Sequence, residues 1–493
     1  MTLRDTLARA RSIVCIAAVA LCCGCGAGDG VAAVDDLSRL DSDAAIAVDL
    51  GIADLAAADL AAPDAATADL ATVEEAPDAA VTDAAMTDAA VTDAAVTDAA
   101  VTDAAAPDAA MPDAGPRDAG PVDWGADAGP CPPEFTPKTR AAIGAALDAL
   151  VCNELRRDGV PGAVAAQASG GAVKWKGHYG YADTFTHAPV TDASVFQVAS
   201  ISKSLTAWGA MTLVEAGKLN LDAPIDMYLT RWHLPASAFT AAKVTARRLM
   251  SHTAGTNLHG YVGFPPNSQL PTIEQSLDGM NNGAGPVKLI QEPGTGYMYS
   301  GGGITLLQLA IEEISGQKFE TYMKAAVLAP LGMNSSAFEW EQGLRPLTPK
   351  AYDINGAELP NYIFTEKAAA GLYTTAADLA LYTAALMPGP NGEPIGRGVL
   401  KPASVTILQT VVPGGPWNTG DPSQPGLGCF TQKINNGDVL LHHNGSNLGW
   451  KASYYVDITQ KESVVLLTNG DTGTKALNTV VNTWAGWLLL KLP

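Results

Sequence analysis

Apolar positions recur at helical spacing near both ends of the globular part of the chain. Over residues 137–155, Ile143, Ala146, Leu147, Leu150 and Val151 mark one face of a helix. Two strand-like runs follow, 162–168 and 172–179, joined by Ser169-Gly170-Gly171, which predicts a hairpin. Residues 200–216 predict an amphipathic helix with Ile201, Leu205, Trp208, Met211 and Val214, closed by Gly217. The stretch from 220 to 430 reads as mostly helical and looped, with periodic segments at 303–314 and 375–386. Three strand-like segments come late, 440–443, 451–457 and 462–468, the last two joined by a turn at Asp457-Ile458-Thr459-Gln460. Residues 474–490 predict a closing helix with Leu477, Val480, Val481, Trp484 and Leu488. This order predicts an α/β (α+β) fold. Both chain ends form one antiparallel sheet flanked by helices, and a mostly helical subdomain is inserted between them.

Charge divides the 493 residues into three parts. Residues 1–25 carry three Arg and one Asp, residues 26–130 carry 23 acidic residues against Arg39 and Arg117, and residues 131–493 carry 27 acidic and 25 basic residues. The net charge of −21 therefore belongs almost wholly to the middle part. The globular part is close to neutral and lacks the clustered Lys and Arg of a nucleic-acid surface. Arg4, Arg9 and Arg11 precede an apolar run ending in Leu21-Cys22-Cys23-Gly24-Cys25, which predicts an export signal over residues 1–25 with lipidation at Cys25. A plain secretory cut nearby is the alternative. From Val81 the acidic part repeats Val-Thr-Asp-Ala-Ala. A period of five lines no face of a helix or strand. With few large apolar groups and many like charges, residues 26–130 predict a disordered tether spanning roughly 55–60 Å. The expected localisation is exported, anchored to a membrane by lipid and facing the periplasm or cell surface. In such an oxidising compartment Cys131 and Cys152, which bracket the first helix, can pair, leaving Cys429 as a thiol.

The segment Phe196-Gln197-Val198-Ala199-Ser200-Ile201-Ser202-Lys203 carries the strongest chemical signal. A Ser at a helix N-terminus sits where backbone N–H groups favour negative charge. A Lys three residues on shares its face, and an amine whose pKa burial lowers can take the hydroxyl proton. A second Ser-x-x-Lys, Ser315-Gly316-Gln317-Lys318, falls at a helix end with Gly316 as C-cap and reads as structural.

Further motifs follow in order: Leu249-Met250-Ser251-His252-Thr253-Ala254-Gly255, Pro293-Gly294-Thr295-Gly296-Tyr297-Met298-Tyr299-Ser300-Gly301, Pro330-Leu331-Gly332-Met333, Ala369-Ala370-Gly371-Leu372-Tyr373-Thr374-Thr375, and His443-Asn444-Gly445-Ser446. Together with the Ser200 segment, this set resembles the serine β-lactamase and penicillin-binding protein superfamily, in its class C β-lactamase-like branch, over residues 140–490. That branch also holds esterases, D-amino-acid peptidases and DD-carboxypeptidases. The resemblance implies a β-lactamase/transpeptidase-like fold over 131–493. It implies Ser200 as acylated nucleophile, Lys203 as its helper and Tyr299 as a proton-transfer group. It implies His443, Asn444 and Gly445 as the third motif along the substrate, with the N–H groups of Ser200 and Ser446 as oxyanion hole.

Two departures bear on the substrate. Gly301 stands where the family has an Asn that contacts the Lys and the substrate, and Asn447 is a candidate replacement. His443 stands where lactamases carry Lys, and imidazole is only partly cationic near neutrality. Both tilt the expectation from a penicillin-type substrate toward an ester or other acyl group. The remaining polar and aromatic residues have plain readings. His252 hydrogen-bonds within a turn, Trp450 is core or cleft wall, Tyr297 is core, His442 flanks a strand, and Glu366-Lys367 is a solvated pair. The expected activity is a serine acyl hydrolase acting on an ester, a D-amino-acid peptide or a β-lactam, from a small-molecule or peptidoglycan-derived source. It needs no cofactor, metal, nucleic acid or obligate protein partner. The alternative is a non-catalytic peptidoglycan- or ligand-binding lipoprotein on the same fold. The seven His form no H-E-x-x-H, and no G-x-S-x-G elbow occurs, which disfavours a metal-dependent hydrolase and an α/β-hydrolase.

Overall fold

A computed structural model of the chain describes residues 130–412, 423–434 and 437–493. The expected export signal, Cys25 and the acidic tether lie outside the described residues.

Helix α1 (Ile143–Arg157) leads into strands β1 (Gly162–Ser169) and β2 (Ala172–Asp183), the predicted hairpin. The chain then makes helix α2 (Ser202–Glu215), helix α3 (Gly301–Ser315) and helix α4 (Ala376–Ala385) before returning to the sheet. It returns as β3 (Phe430–Lys433), β4 (Val439–Asn447), β5 (Trp450–Asp457) and β6 (Glu462–Thr468), and ends in helix α5 (Gly473–Leu489). β1 pairs antiparallel with β6, Ala163 opposite Thr468, so first and last strands meet at the middle of one sheet. The order β2-β1-β6-β5-β4-β3 is extended by the short strands Ala188–Pro189 and Ser423–Pro425 at its two edges. The Asp457 carboxylate caps the predicted turn by accepting the N–H groups of Thr459 and Gln460.

Alternate strand residues face opposite layers. Ala163, Ala165, Val464, Leu466, Tyr455 and Leu440 pack under α1 and α5, against Leu147, Leu150, Val480 and Trp484. Val164, Ala166, Val465, Leu467, Tyr454 and Leu441 face the larger cluster that holds α2, α3 and α4. The predicted amphipathic character of α2 is not what forms: the helix is buried on nearly every side, including Ser202, Ser204 and Thr206. Its hydroxyls turn to backbone carbonyls, Ser204 donating to Gly428 at 2.6 Å and Thr206 to Ala368 at 3.1 Å. A helix surrounded on all faces needs no polar stripe. Gly316 ends α3 with φ +68, as expected for the second Ser-x-x-Lys. Cys131 and Cys152 form a disulfide, and burial raises the remaining Cys429 thiol to about 12.

Candidate active site

Ser200 lies in a single 3₁₀ turn, Ala199–Ile201, that feeds into α2. The turn is fixed from both sides. Val198 N–H donates to Leu372 O at 3.1 Å, and Ile201 N–H donates back to Val198 O at 3.0 Å. Ala199 has φ +45, a left-handed conformation that a side chain bearing Cβ adopts at a cost of about 1 kcal/mol. Such strain persists only where the surroundings over-determine the backbone. Here they do, because β4 packs directly on the turn and Gly445 leaves room for the Val198 carbonyl.

One helical turn on, Lys203 is 2% exposed. Its Nζ donates to Ser200 Oγ at 3.0 Å and to Ala369 O at 2.8 Å, and stands 4.9 Å from the Tyr299 ring centroid. The Tyr299 ring lies between two imidazoles, 4.2 Å from that of His252 and 4.7 Å from that of His259. His252 is buried and accepts the Ser300 N–H on Nδ1 at 3.1 Å, while its carbonyl accepts Met298 N–H at 2.8 Å. Burial, with Lys203 nearby, holds its pKa well below the usual histidine value. His252 is thus a neutral brace for the loop carrying Tyr299, its ring bonding across to that loop rather than within its own turn as expected. Tyr297 is half-buried with its edge toward the His252 ring rather than in the core.

The opposite wall is the free edge of β4. β3 pairs with β4 only as far as His442, so residues 443–447 have no strand beyond them among the described residues. Asn447 and Trp450 close the two-residue turn into β5. Antiparallel alternation then aims the amides of 447, 445 and 443 at β5 and that of Ser446 out over the open edge. His443 is 2% exposed. Its Nδ1 hydrogen donates to Asn444 O at 2.6 Å, which leaves Nε2 as a lone-pair acceptor. Burial, Lys203 and His442 push its pKa down to about 3. The expectation of a partly cationic His443 is corrected: in this environment the imidazole is neutral. Asn444 Oδ1 accepts from Ser453 Oγ at 2.8 Å.

Ser200, Tyr299, His443, Asn444, Gly445 and Ser446 line one crevice enclosing about 740 Å³ of space open to solvent. Two of the candidate substrate-binding residues lie off that wall. Gly301 is buried at the first turn of α3, where its N–H donates to His259 O at 2.9 Å and a Cβ would press on the same carbonyl. Asn447 turns inward, donating to Gln197 Oε1 at 2.9 Å and Ala370 O at 3.4 Å. Sequence reasoning missed several wall residues: His259, Phe430, Lys451, Thr474, Leu477 and Asn478. No spacing tied the last four to Ser200; register across β5 brings in Lys451 and the packing of α5 the other three. His442 also lines the crevice, stacked 4.7 Å from Tyr455, and burial lowers its pKa to about 3. Trp450 is core, edge-on to Phe196. Glu366-Lys367 is not a solvated pair. Glu366 is fully buried, accepts from Ser276 Oγ, and has its pKa raised by desolvation. Lys367 pairs instead with Glu320 at 3.0 Å and Glu339 at 3.3 Å.

The chain is 24% identical over 371 residues to Esterase EstB of Burkholderia gladioli, covering 67% of this chain and 91% of that one. It is 35% identical over 172 residues to Penicillin-binding protein 4* of Bacillus subtilis, covering 34% of this chain and 36% of that protein. The chain thus spans little more than a third of the length of that relative. A solved class C beta-lactamase superposes with a TM-score of 0.57 at 20% identity, covering 71% of this chain and 96% of that one. The D-alanine carboxypeptidase AmpC from Burkholderia cenocepacia superposes with a TM-score of 0.55 at 19% identity, covering 70% and 97%. These structures share the expected fold, a sheet built from both chain ends with helices on its faces. The profile of the family described as Beta-lactamase matches residues 147–480. With a match over more than half its length, the chain belongs to the beta-lactamase family of serine hydrolases and their relatives.

Proposed function

We propose that this chain is a serine acyl hydrolase working through a Ser200 acyl-enzyme. The observation that carries the reading is the Lys203 Nζ–Ser200 Oγ contact of 3.0 Å at the floor of an open crevice. Ser200 Oγ attacks the carbonyl carbon and its proton passes to the Lys203 amine, with Tyr299 beside it as the second transfer group. The N–H groups of Ser200 and Ser446 receive the negative oxygen. The bond to the leaving group breaks, the departing oxygen or nitrogen takes the proton, and water then cleaves the Ser200 ester to free the acid.

The neutral His443 and the Gly301 position favour an ester-type substrate over a penicillin, and the esterase relative supports the same direction. In the same reading the chain is exported, carries lipid on Cys25 and reaches its substrate on the acidic tether.

A fluorophosphonate or penicillin probe tests the core of the proposal. Ser200 takes up label in the native protein and Ser200→Ala does not; equal labelling of both removes the nucleophile. Turnover of short p-nitrophenyl esters against a chromogenic cephalosporin ranks the substrates. Stable ligand binding without turnover would return the chain to the non-catalytic alternative, whereas multiple turnover abolished by Lys203→Ala excludes it.

A further inference from the structure

Gly301, Gly302 and Gly303 open α3. A Cβ on Gly301 would lie 2.9 Å from His259 O, one on Gly302 2.9 Å from Asn257 O, and one on Gly303 2.6 Å from Thr256 Oγ1. Segment 256–259 therefore lies across the first turn of α3, in space that any side chain would need. Three bonds hold it there. Ser300 Oγ donates to Asn257 O at 2.5 Å, Gly302 N–H to Leu258 O at 3.1 Å, and Gly301 N–H to His259 O at 2.9 Å. They keep Leu258 left-handed, with φ +63, a conformation that a β-carbon disfavours.

This backbone seat delivers the His259 imidazole to Tyr299. The two rings stand 4.7 Å apart with their planes at 37°, and His252 stands 4.2 Å from the same Tyr299 ring at 36°. The His252 ring is buried and fixed by the Ser300 N–H. His259 is exposed, lines the crevice beside Ser200 and is carried by the seat on α3. Tyr299 itself is half-buried, on a wall open to solvent. A phenol that passes a proton must hold its oxygen within hydrogen-bond range of both partners, and a misplacement of about 1 Å can cost about 10²-fold in rate. Contacts between ring faces restrain the phenol without competing for its hydroxyl.

We propose that His259 is a positioning residue that grips the Tyr299 ring against His252, and that glycine at 301 is what admits it. The proposal rests on the serine-hydrolase reading of the crevice. Gly301 is then part of a replacement for the family Asn. A side chain at 301 and His259 in its seat exclude each other.

Ester turnover by the native enzyme, His259→Ala and His259→Phe tests the grip. Ala removes the ring and lowers kcat by about tenfold, the scale of one aromatic pair, with KM kept, because Tyr299 acts in the chemical step. Phe supplies a flat ring without nitrogens and restores most of that loss. Equal losses in both variants would assign the effect to the imidazole nitrogens, and a rise in KM alone would make His259 a substrate contact; either overturns the proposal. Gly301→Asn loses ester turnover as His259→Ala does and gains no cephalosporin turnover; a gain overturns the exclusion at 301. Fluorine NMR of protein carrying 3-fluorotyrosine, with the Tyr299 signal assigned by Tyr299→Phe, reads the ring without turnover. A signal that shifts in His259→Ala and returns toward native in His259→Phe supports the grip, and one that stays put in His259→Ala sinks it. A shift in a protein that neither labels at Ser200 nor turns over esters removes the hydrolase reading, and with it the purpose of the grip.

Discussion

Gly445 and Val198 are in such close contact that a methyl group on residue 445 would overlap the Val198 carbonyl oxygen. The contact sets the distance between the turn bearing Ser200 and the strand bearing Ser446. Gly445→Ala must push the two apart, at a cost of about 1–3 kcal/mol in stability. Displacement of one oxyanion donor costs about 10²-fold or more in kcat. Thermal unfolding and ester turnover on the same preparation check this; a variant with native kcat would show that the spacing is not critical.

Lys203 is braced by Ala369 O as well as Ser200, so its amine is pre-positioned. Lys203→Met keeps most of the packing volume and removes proton transfer. The expected loss is about 10²–10⁴-fold in kcat/KM. A loss below tenfold would assign the proton to another group.

His442 and His443 each have a folded pKa of about 3, far below the ordinary histidine value. The unfolded chain takes up protons below about pH 6.5 that the folded chain refuses. Stability from this source is complete above that pH and is lost as pH falls toward 3, by roughly 1.4 kcal/mol per pH unit for each ring. Denaturant titrations at pH 7 and pH 4.5 should show a smaller fall for His442→Phe than for the native protein. Equal falls would mean that His442 protonates in the folded state.

Glu366 presents the opposite sign. Its folded pKa is raised by desolvation, so the folded chain resists ionisation as pH rises and loses stability relative to the unfolded chain. Glu366→Gln removes that loss. The variant should match the native protein near pH 5 and melt higher at pH 8. A variant that melts lower at pH 8 would show that the ionised carboxylate is accommodated.

The Cys131–Cys152 bridge closes a loop of separation 21 and ties the start of the described chain to α1. Replacing both by Ser should cost about 3 kcal/mol. Urea unfolding of native and double-Ser proteins at one pH measures it; identical midpoints would assign the bridge no energetic role.

Most of the sheet was legible because its strands sit at the two ends of the globular part and carry sustained patterns; α5 was placed within a residue or two, α1 starts six residues later than expected, and the edge strand Phe430–Lys433 was too short to show. The middle was harder to read. Helices such as Ala246–Met250 and Ile273–Leu277 have five residues each, too few for a period to show, and are marked only by their Thr caps. Ser200 and Lys203 could be found because one helical turn joins them in sequence. Lys451, which bonds Ser446 and Asp471, could not, since cross-strand register and the turn after β6 assemble that group. Glu366 and Lys367 look solvated as neighbours, yet packing sends one inward and the other to distant carboxylates. His443 shows the same limit: residue type allowed a partial charge, and burial removes it.

The pairing of β1 with β6 also dictates when the protein can become competent. About 300 residues separate Ala163 from Thr468, so a chain emerging N-terminus first holds its opening hairpin without a neighbour until the last strands arrive. Closure is a late, long-range event, slow by the measure of sequence separation. The seat of the reactive turn, on β4, is delivered in the same final stretch. A ribosome-bound or prematurely terminated chain then lacks one wall of the crevice, and loss of the final fifty residues takes away the Ser446 side outright instead of trimming it.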